Sequence, residues 1–201
     1  MKLTNFKQTD EKATFTLEGV NPQMLNAFRR AVISEVPVMA IEEVTFYDNS
    51  SILDDEVLAH RLGLVPLKTN LKTYNLMSEC TCKGKGCGKC TVILTLDVEG
   101  PKTVYSGDIK SADPTVVPVY ETIPLVKLMR GQRVKIEAKA QLGQGREHIK
   151  WQGGIASYEE KKKNTYDTLV ESFGQLPVDQ LMSTAFDIFQ NKIDSLNSKL
   201  K

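Results

Sequence analysis

The sequence predicts an α+β protein, and three observations carry that expectation. Apolar and polar residues alternate at 13–18, 92–99 and 134–140, the period of half-buried strands. Apolar residues recur every three or four positions at 21–36 and again from 178 onward, the period of amphipathic helices. The stretch 68–91 does neither: it is short on apolar side chains, rich in Lys and Gly, and holds all four cysteines.

Composition narrows the class. The chain has 201 residues, 41% apolar and 25% charged, enough for one substantial domain or two small ones. A net charge of +1 supplies no bulk field to draw in DNA or RNA. No apolar run approaches the roughly 20 residues of a membrane span. The opening MKLTNFKQTDEK lacks a signal peptide's apolar core, so a cytoplasmic protein is expected.

Taken in order, residues 2–8 and 13–18 read as a strand pair around the polar turn 8–12. Asn21-Pro22 then opens a helix. Asn is a good N-cap, and Pro costs little at the first position, where its missing N–H would be unpaired anyway. Leu25, Phe28, Val32 and Val36 form its stripe, widened by Met24, Ala31 and Ile33, and Pro37 ends it. Residues 38–47 are β-rich, with Ile41, Val44 and Phe46 expected inside. A second helix opens on the acids Asp54, Asp55 and Glu56 and closes at Gly63, with Val57, Leu58 and Leu62 as its apolar face.

Beyond the cysteines, Val92, Leu94, Leu96 and Val98 mark a strand that Gly100-Pro101 ends, and Val104-Tyr105 start a short one. PLVKLMR at 124–130 reads as a helical turn. Val134, Ile136, Ala138 and Ala140 face one way from another strand, and Lys135, Glu137 and Lys139 the other. Gly143 and Gly145 make a turn; without a third glycine or a following helix they are no nucleotide loop. HIKW at 148–151 reads as part of an amphipathic strand, EEKKK at 159–163 as a solvated loop, and 165–173 as a strand. Pro177 then starts a long helix whose Met182, Phe186, Phe189, Ile193, Leu196 and Leu200 form a seam in steps of four and three. That seam fits equally a helix on its own sheet and one whose far end meets a second chain.

Cys80, Cys82, Cys87 and Cys90 give C-x-C-x4-C-x2-C. Four thiolates close a tetrahedral zinc sphere, Gly84, Gly86 and Gly88 permit the tight turns, and Lys83, Lys85 and Lys89 favour the thiolate form. One structural zinc is the expectation. Two disulfides, an iron–sulfur centre and reduced thiols are the alternatives. A catalytic zinc would need an open ligand position, and the two histidines, His60 and His148, lie away from the cluster. No nucleophile is placed to pair with His60, which reads as a partly buried or interface residue. Trp151 reads as a core or interface anchor. Of the adjacent Arg29 and Arg30, at least one must point outward, to solvent or to a partner.

The stretch NAFRRAVISEVPVMAIEEVTFYDNSSILDDEVLAHRLGLVPL at 26–67 is similar to the signature of the D-type subunits of archaeal RNA polymerase. That family is related to the third subunit of eukaryotic polymerase II and to the bacterial alpha N-terminal domain. FRRA, EVP and the D-E-x-x-x-H-R-L-G-L-x-P block carry the resemblance. The cysteine cluster, HIKW and LVESFGQLPVDQLMSTAFDIF extend it over nearly the whole chain. The resemblance implies a dimerisation domain, an antiparallel sheet packed by helices, from 1–48 plus 163–201. A mainly β domain, 49–162, is inserted and carries the zinc loop 80–90. It implies a non-catalytic assembly subunit that pairs with subunit L and supports the N, P and B subunits. Leu25, Phe28, Val32, Met182, Phe186, Phe189, Ile193 and Leu196 would form the dimer interface, and Arg29, Arg30, His60 and Arg61 the large-subunit contact. The ferredoxin-like insertion of many relatives is not expected after Tyr158, which runs into EEKKKNTYD without a further cysteine, so no iron–sulfur cluster is expected there. The competing reading is a stand-alone zinc-ribbon protein that binds nucleic acid, but residues 76–92 contain no aromatic platform.

Overall fold

The computed structural model of the protein describes residues 1–200. Its elements are β1 (Lys2–Gln8), β2 (Lys12–Glu18), α1 (Pro22–Ser34), β3 (Val38–Asn49), α2 (Asp55–Gly63), β4 (Thr91–Glu99), β5 (Lys102–Tyr105), β6 (Lys110–Ser111), β7 (Pro124–Leu128), β8 (Arg133–Gly143), β9 (Gly154–Lys162), β10 (Thr165–Ser172) and α3 (Val178–Lys199). All strand pairs are antiparallel, and the fold is α+β.

The chain divides into two compact units, Met1–Pro37 with Gln144–Lys201, and Val38–Gly143. The sequence predicts later joints, at 48/49 and 162/163. Two strand pairings move them. The strand β3 pairs with β8 from Val38↔Gly143 to Asn49↔Val134, so it belongs to the inserted unit. The strand β9 pairs with β10 from Gly154↔Ser172 to Lys162↔Thr165, so it belongs to the outer one.

In the outer unit the sheet order is β1-β2-β10-β9. Ala13, Phe15 and Leu17 of β2 stand opposite Val170, Thr168 and Tyr166 of β10, so one sheet face carries the apolar set that α1 and α3 cover. The Asn21 side chain accepts from the Gln23 N–H and starts α1, with Pro22 in its first turn, as the sequence indicates. Phe28 of α1 stacks on Phe186 of α3, ring centroids 4.3 Å apart and 15° from parallel. Gly154 has a packing reason: a Cβ there would lie 2.4 Å from the Glu171 carbonyl and 2.7 Å from Leu181. The EEKKK run is no free loop, since β9 extends through Lys162 and turns back at Asn164. HIKW is no strand either: Ile149–Trp151 form a single 3₁₀ turn capped by the His148 ring, which accepts from the Lys150 N–H.

In the inserted unit the sheet order is β3-β8-β4-β6, with a two-stranded β5-β7 ribbon beside it. Val92, Leu94 and Leu96 of β4 and Val134, Ile136 and Ala138 of β8 lie in one core with Leu58, Leu62 and Val65 of the α2 region and Leu125, Val126 and Leu128 of β7. The 124–130 stretch is therefore a strand at 124–128 and not a helical turn: β5 offers a pairing edge, Val104 opposite Val126, that periodicity in so short a run cannot reveal. On the solvent face of the large sheet Arg133 grips Asp97 with Nε at 2.9 Å and Nη2 at 2.8 Å, and Lys139 meets Glu43 at 2.8 Å.

Candidate metal centre and docking surfaces

The four cysteines sit in the long segment between α2 and β4. Both halves of the loop are tight turns: the Lys83 N–H donates to the Cys80 carbonyl at 3.0 Å, and the Cys90 and Thr91 N–H groups both donate to the Cys87 carbonyl at 2.9 Å. Gly84 and Gly86 hold positive φ angles of 80° and 79°, the turn geometry expected of these glycines, and Lys83 before them holds 53°. The loop closes where the Asn75 N–H donates to the Lys89 carbonyl at 2.9 Å. A second tie is Tyr74, whose hydroxyl donates to Asp113. Burial and that bond push the Tyr74 hydroxyl up to about 12, and the same bond holds the Asp113 carboxyl below its usual range.

All four sulfurs lie within 4.8 Å of one another. Cys80 Sγ is 3.6 Å from Cys87 Sγ, Cys82 Sγ is 3.6 Å from Cys90 Sγ, and Cys87 Sγ is 3.8 Å from Cys90 Sγ. A zinc tetrahedron with bonds of about 2.3 Å sets its sulfurs roughly 3.75 Å apart, so the donor set fits the ion. The cysteines are not disulfide-bonded in this structure. The Cys87 N–H also points at Cys90 Sγ, 3.2 Å away, an additional donor to a thiolate. The thiols are not alike: burial pushes Cys90 up to about 12, while a hydrogen bond from Cys80 brings Cys82 down to about 6. Cys80 and Cys90 are buried, and Cys82 and Cys87 are half-buried.

The helix residues divide into two groups. Leu25, Phe28 and Val32 are 2%, 4% and 0% exposed, turned into their own unit. They hold α1 against the sheet and α3 and offer no direct surface to a second chain, contrary to the sequence expectation. Met182 and Phe189 are half-buried, and Phe186, Ile193 and Leu196 are 45%, 39% and 58% exposed. Every described side chain of 190–200 is exposed, so the seam runs beyond what its own unit covers. Beside it, Ala27, Ala31, Ile188 and Phe189 line a groove of about 260 Å³ whose rim is Arg30, Glu35 and Lys192, the last two ion-paired. Arg30 is exposed; Arg29 is half-buried and donates to Asn26 Oδ1 at 3.2 and 3.0 Å.

In the inserted unit His60 and Arg61 are both exposed on α2, and Arg61 Nη2 donates to the Pro124 carbonyl at 2.8 Å. Sequence reasoning missed their neighbours. Val57, expected in the core, is 47% exposed; Leu64 and Tyr105 are 45% and 41% exposed. Spacing from Val57 to Leu64 was the available signal, masked by the stronger inner stripe. Among the described residues no helix is long and apolar enough to cross a membrane.

Comparison with known proteins adds a family context. The model of the RNA polymerase Rpb3/RpoA insert domain matches residues 41–180. A DNA-directed RNA polymerase subunit Rpo3 of Archaeoglobus fulgidus is 49% identical over 146 residues, 73% of this chain and 55% of that protein. The Rpo3 of Methanosarcina acetivorans is 46% identical over 157 residues, 78% of this chain and 59% of that protein. The Rpo3 of Pyrococcus horikoshii is 46% identical over 158 residues, 79% and 59%. The chain thus matches somewhat more than half the length of these curated relatives.

Proposed function

The chain belongs to the RNA polymerase Rpb3/RpoA insert-domain family, and we propose that it is an assembly subunit of a DNA-directed RNA polymerase. Its outer unit pairs with a smaller subunit of the L type, and the pair supports the N and P subunits and the large B-type subunit in the cytoplasm. The observation that carries this reading is the α3 seam: Phe186, Ile193 and Leu196 continue an apolar stripe past the point where the chain's own sheet covers it. The interface is the outward set Met182, Phe186, Phe189, Ile193 and Leu196, with Leu25, Phe28 and Val32 behind it as support. Arg29, Arg30, His60 and Arg61 are the contacts to the large subunit. The subunit does no chemistry of its own.

Cys80, Cys82, Cys87 and Cys90 hold one structural zinc, which would join the two turns of a loop with few apolar side chains. Binding draws off the thiol protons, so retention of the metal weakens as the pH falls. The strands β9 and β10 join through a short turn at Asn164, pairing up to Lys162↔Thr165, and no iron–sulfur insertion is proposed after Tyr158.

Co-expression with subunit L tests the reading. A stable heterodimer is expected; a lone stable monomer that gains nothing from L overturns it. Metal analysis of anaerobically purified protein should give about one zinc per chain. Substoichiometric metal with no free thiols would mean disulfides.

A further inference from the structure

The four thiols of the cysteine loop are not equivalent. Cys80 and Cys90 are buried, while Cys82 and Cys87 are half-buried. Two close sulfur contacts each join one of either kind: Cys80 with Cys87 at 3.6 Å, and Cys82 with Cys90 at 3.6 Å. Together these two contacts use every sulfur once. Cys87 also approaches Cys90, at 3.8 Å, but a bond there would leave Cys80 to pair with Cys82. Thr81 alone separates those two, and a bridge across a single residue closes a small, strained ring.

The loop can follow a bridging bond without disturbing the core. Sulfurs 3.6 Å apart must approach by about 1.5 Å to reach the length of a disulfide. Apart from Cys82 and Cys87, every residue of 81–89 is exposed, and a Cβ added at Gly84 or Gly88 would meet nothing within 4 Å. The half-buried sulfurs therefore sit on chain that has room to move. Among the described residues, the core cluster of the inserted unit includes no cysteine. Cys90 is the anchored end: it adjoins β4, and its Sγ lies 3.8 Å from the Met77 thioether.

A thiol that solvent can reach, with a second sulfur beside it, is the arrangement that turns oxidation into a bridge. We infer that Cys82 and Cys87 are the sites at which a hydroperoxide oxidises this loop, and that Cys90 and Cys80 resolve them into the bridges Cys82–Cys90 and Cys80–Cys87 with loss of the metal. In each pair the half-buried thiolate attacks one peroxide oxygen, breaks the O–O bond and becomes a sulfenic acid, releasing hydroxide. The buried thiolate then attacks the sulfenic sulfur; the S–S bond forms and a second hydroxide leaves. Each bridge thus consumes two thiolates and one hydrogen peroxide, with two electrons passing from sulfur to oxygen. One bridge leaves two thiolates, too few to close a four-sulfur shell. The inference rests on the zinc reading of the cluster and adds a defined oxidation product to it.

The test uses the zinc-loaded full chain, purified without oxygen, with hydrogen peroxide as probe. Release of about one zinc per chain, read with a chromogenic chelator, is expected for about two equivalents of peroxide consumed. Fragmentation of the linked peptides should show Cys80–Cys87 and Cys82–Cys90, and a dithiol with added zinc should restore the starting form. A Cys80–Cys82, Cys87–Cys90 or Cys80–Cys90 bridge overturns the inference, as does zinc retained under peroxide or sulfinic acid formed without bridges. The double substitution Cys82→Ser with Cys87→Ser leaves only the two buried thiols and should react with peroxide at least tenfold more slowly than Cys80→Ser with Cys87→Ser, which keeps the Cys82 and Cys90 pair. Equal rates in the two overturn the assignment of the entry sites. A chain isolated with four free thiols and no zinc overturns the zinc reading, and the inference with it.

Discussion

The helices α1 and α3 lie against the same sheet face and have stripes of similar strength in the sequence, yet the structure uses them differently. All of the main stripe of α1 is buried: Leu25, Phe28, Val32 and, just past its end, Val36. In α3 only Val178, Leu181 and Ala185 are buried, and from Phe186 onward every seam residue is half-buried or exposed. Periodicity reports that a face is apolar. It does not report what covers that face, because the same spacing serves a sheet within the chain and a helix of another chain. Spacing alone leaves the α3 seam open between sheet and partner, and the family resemblance gives both stripes to a partner. The geometry gives α1 to the core and leaves the second half of α3 as the surface without an internal cover.

The division can be broken by substitution. Phe28→Ala removes a fully packed ring together with its stack on Phe186, and thermal or denaturant unfolding should show a loss of about 3–5 kcal/mol. Leu181→Ala, in the buried part of α3, should cost about 2–5 kcal/mol. Ile193→Asp and Leu196→Asp should change the stability of the isolated chain by no more than about 0.5 kcal/mol, as for other exposed sites, while abolishing association with subunit L. A large destabilisation of the isolated chain by Ile193→Asp would place the seam in the core and erase the contrast. A small effect on stability is also expected for Lys192→Ala, which removes a partly exposed ion pair with Glu35 worth about 0.2–1 kcal/mol.

The inserted unit supplies a control that the helix changes should not touch. Tyr74→Phe breaks the tie to Asp113 and should cost about 1.5–3 kcal/mol, the range for a hydrogen bond to a charged group. Tyr74 has its hydroxyl raised in the fold, to about 12. Its contribution is complete below the ordinary tyrosine range near 10 and is lost as the pH rises from there through about 12. Asp113 is lowered in the fold, so its share is present above the ordinary carboxylate range and is lost as the pH falls through it. Unfolding of the wild type should therefore show both flanks, and Tyr74→Phe should flatten the alkaline one.

What was legible in the sequence followed the local signals. Strict alternation marks β4 and β8, the Asn21-Pro22 pair marks the start of α1, and the cysteine spacing marks a cluster whose sulfurs do converge. What was not legible depended on distant partners. Residues 124–128 are a strand because Val104 and its neighbours lie alongside, more than twenty positions earlier. The joints between the units shift because β3 and β9 are assigned by their pairing to β8 and β10, which no local pattern encodes. The Tyr74–Asp113 tie and the Arg61–Pro124 bond join residues far apart in sequence for the same reason. Val57 reads as core in the sequence because an apolar residue near a helix start gives no sign of which way its own turn faces.

Hydrogen exchange of the chain alone and of the chain with subunit L tests the central claim most directly. Amides of residues 186–199 in α3 should exchange rapidly in the isolated chain and become protected on addition of L, while those of α1 are protected in both. Unchanged exchange of 186–199 in the presence of L, or full protection without it, would contradict the assignment of the seam to a partner.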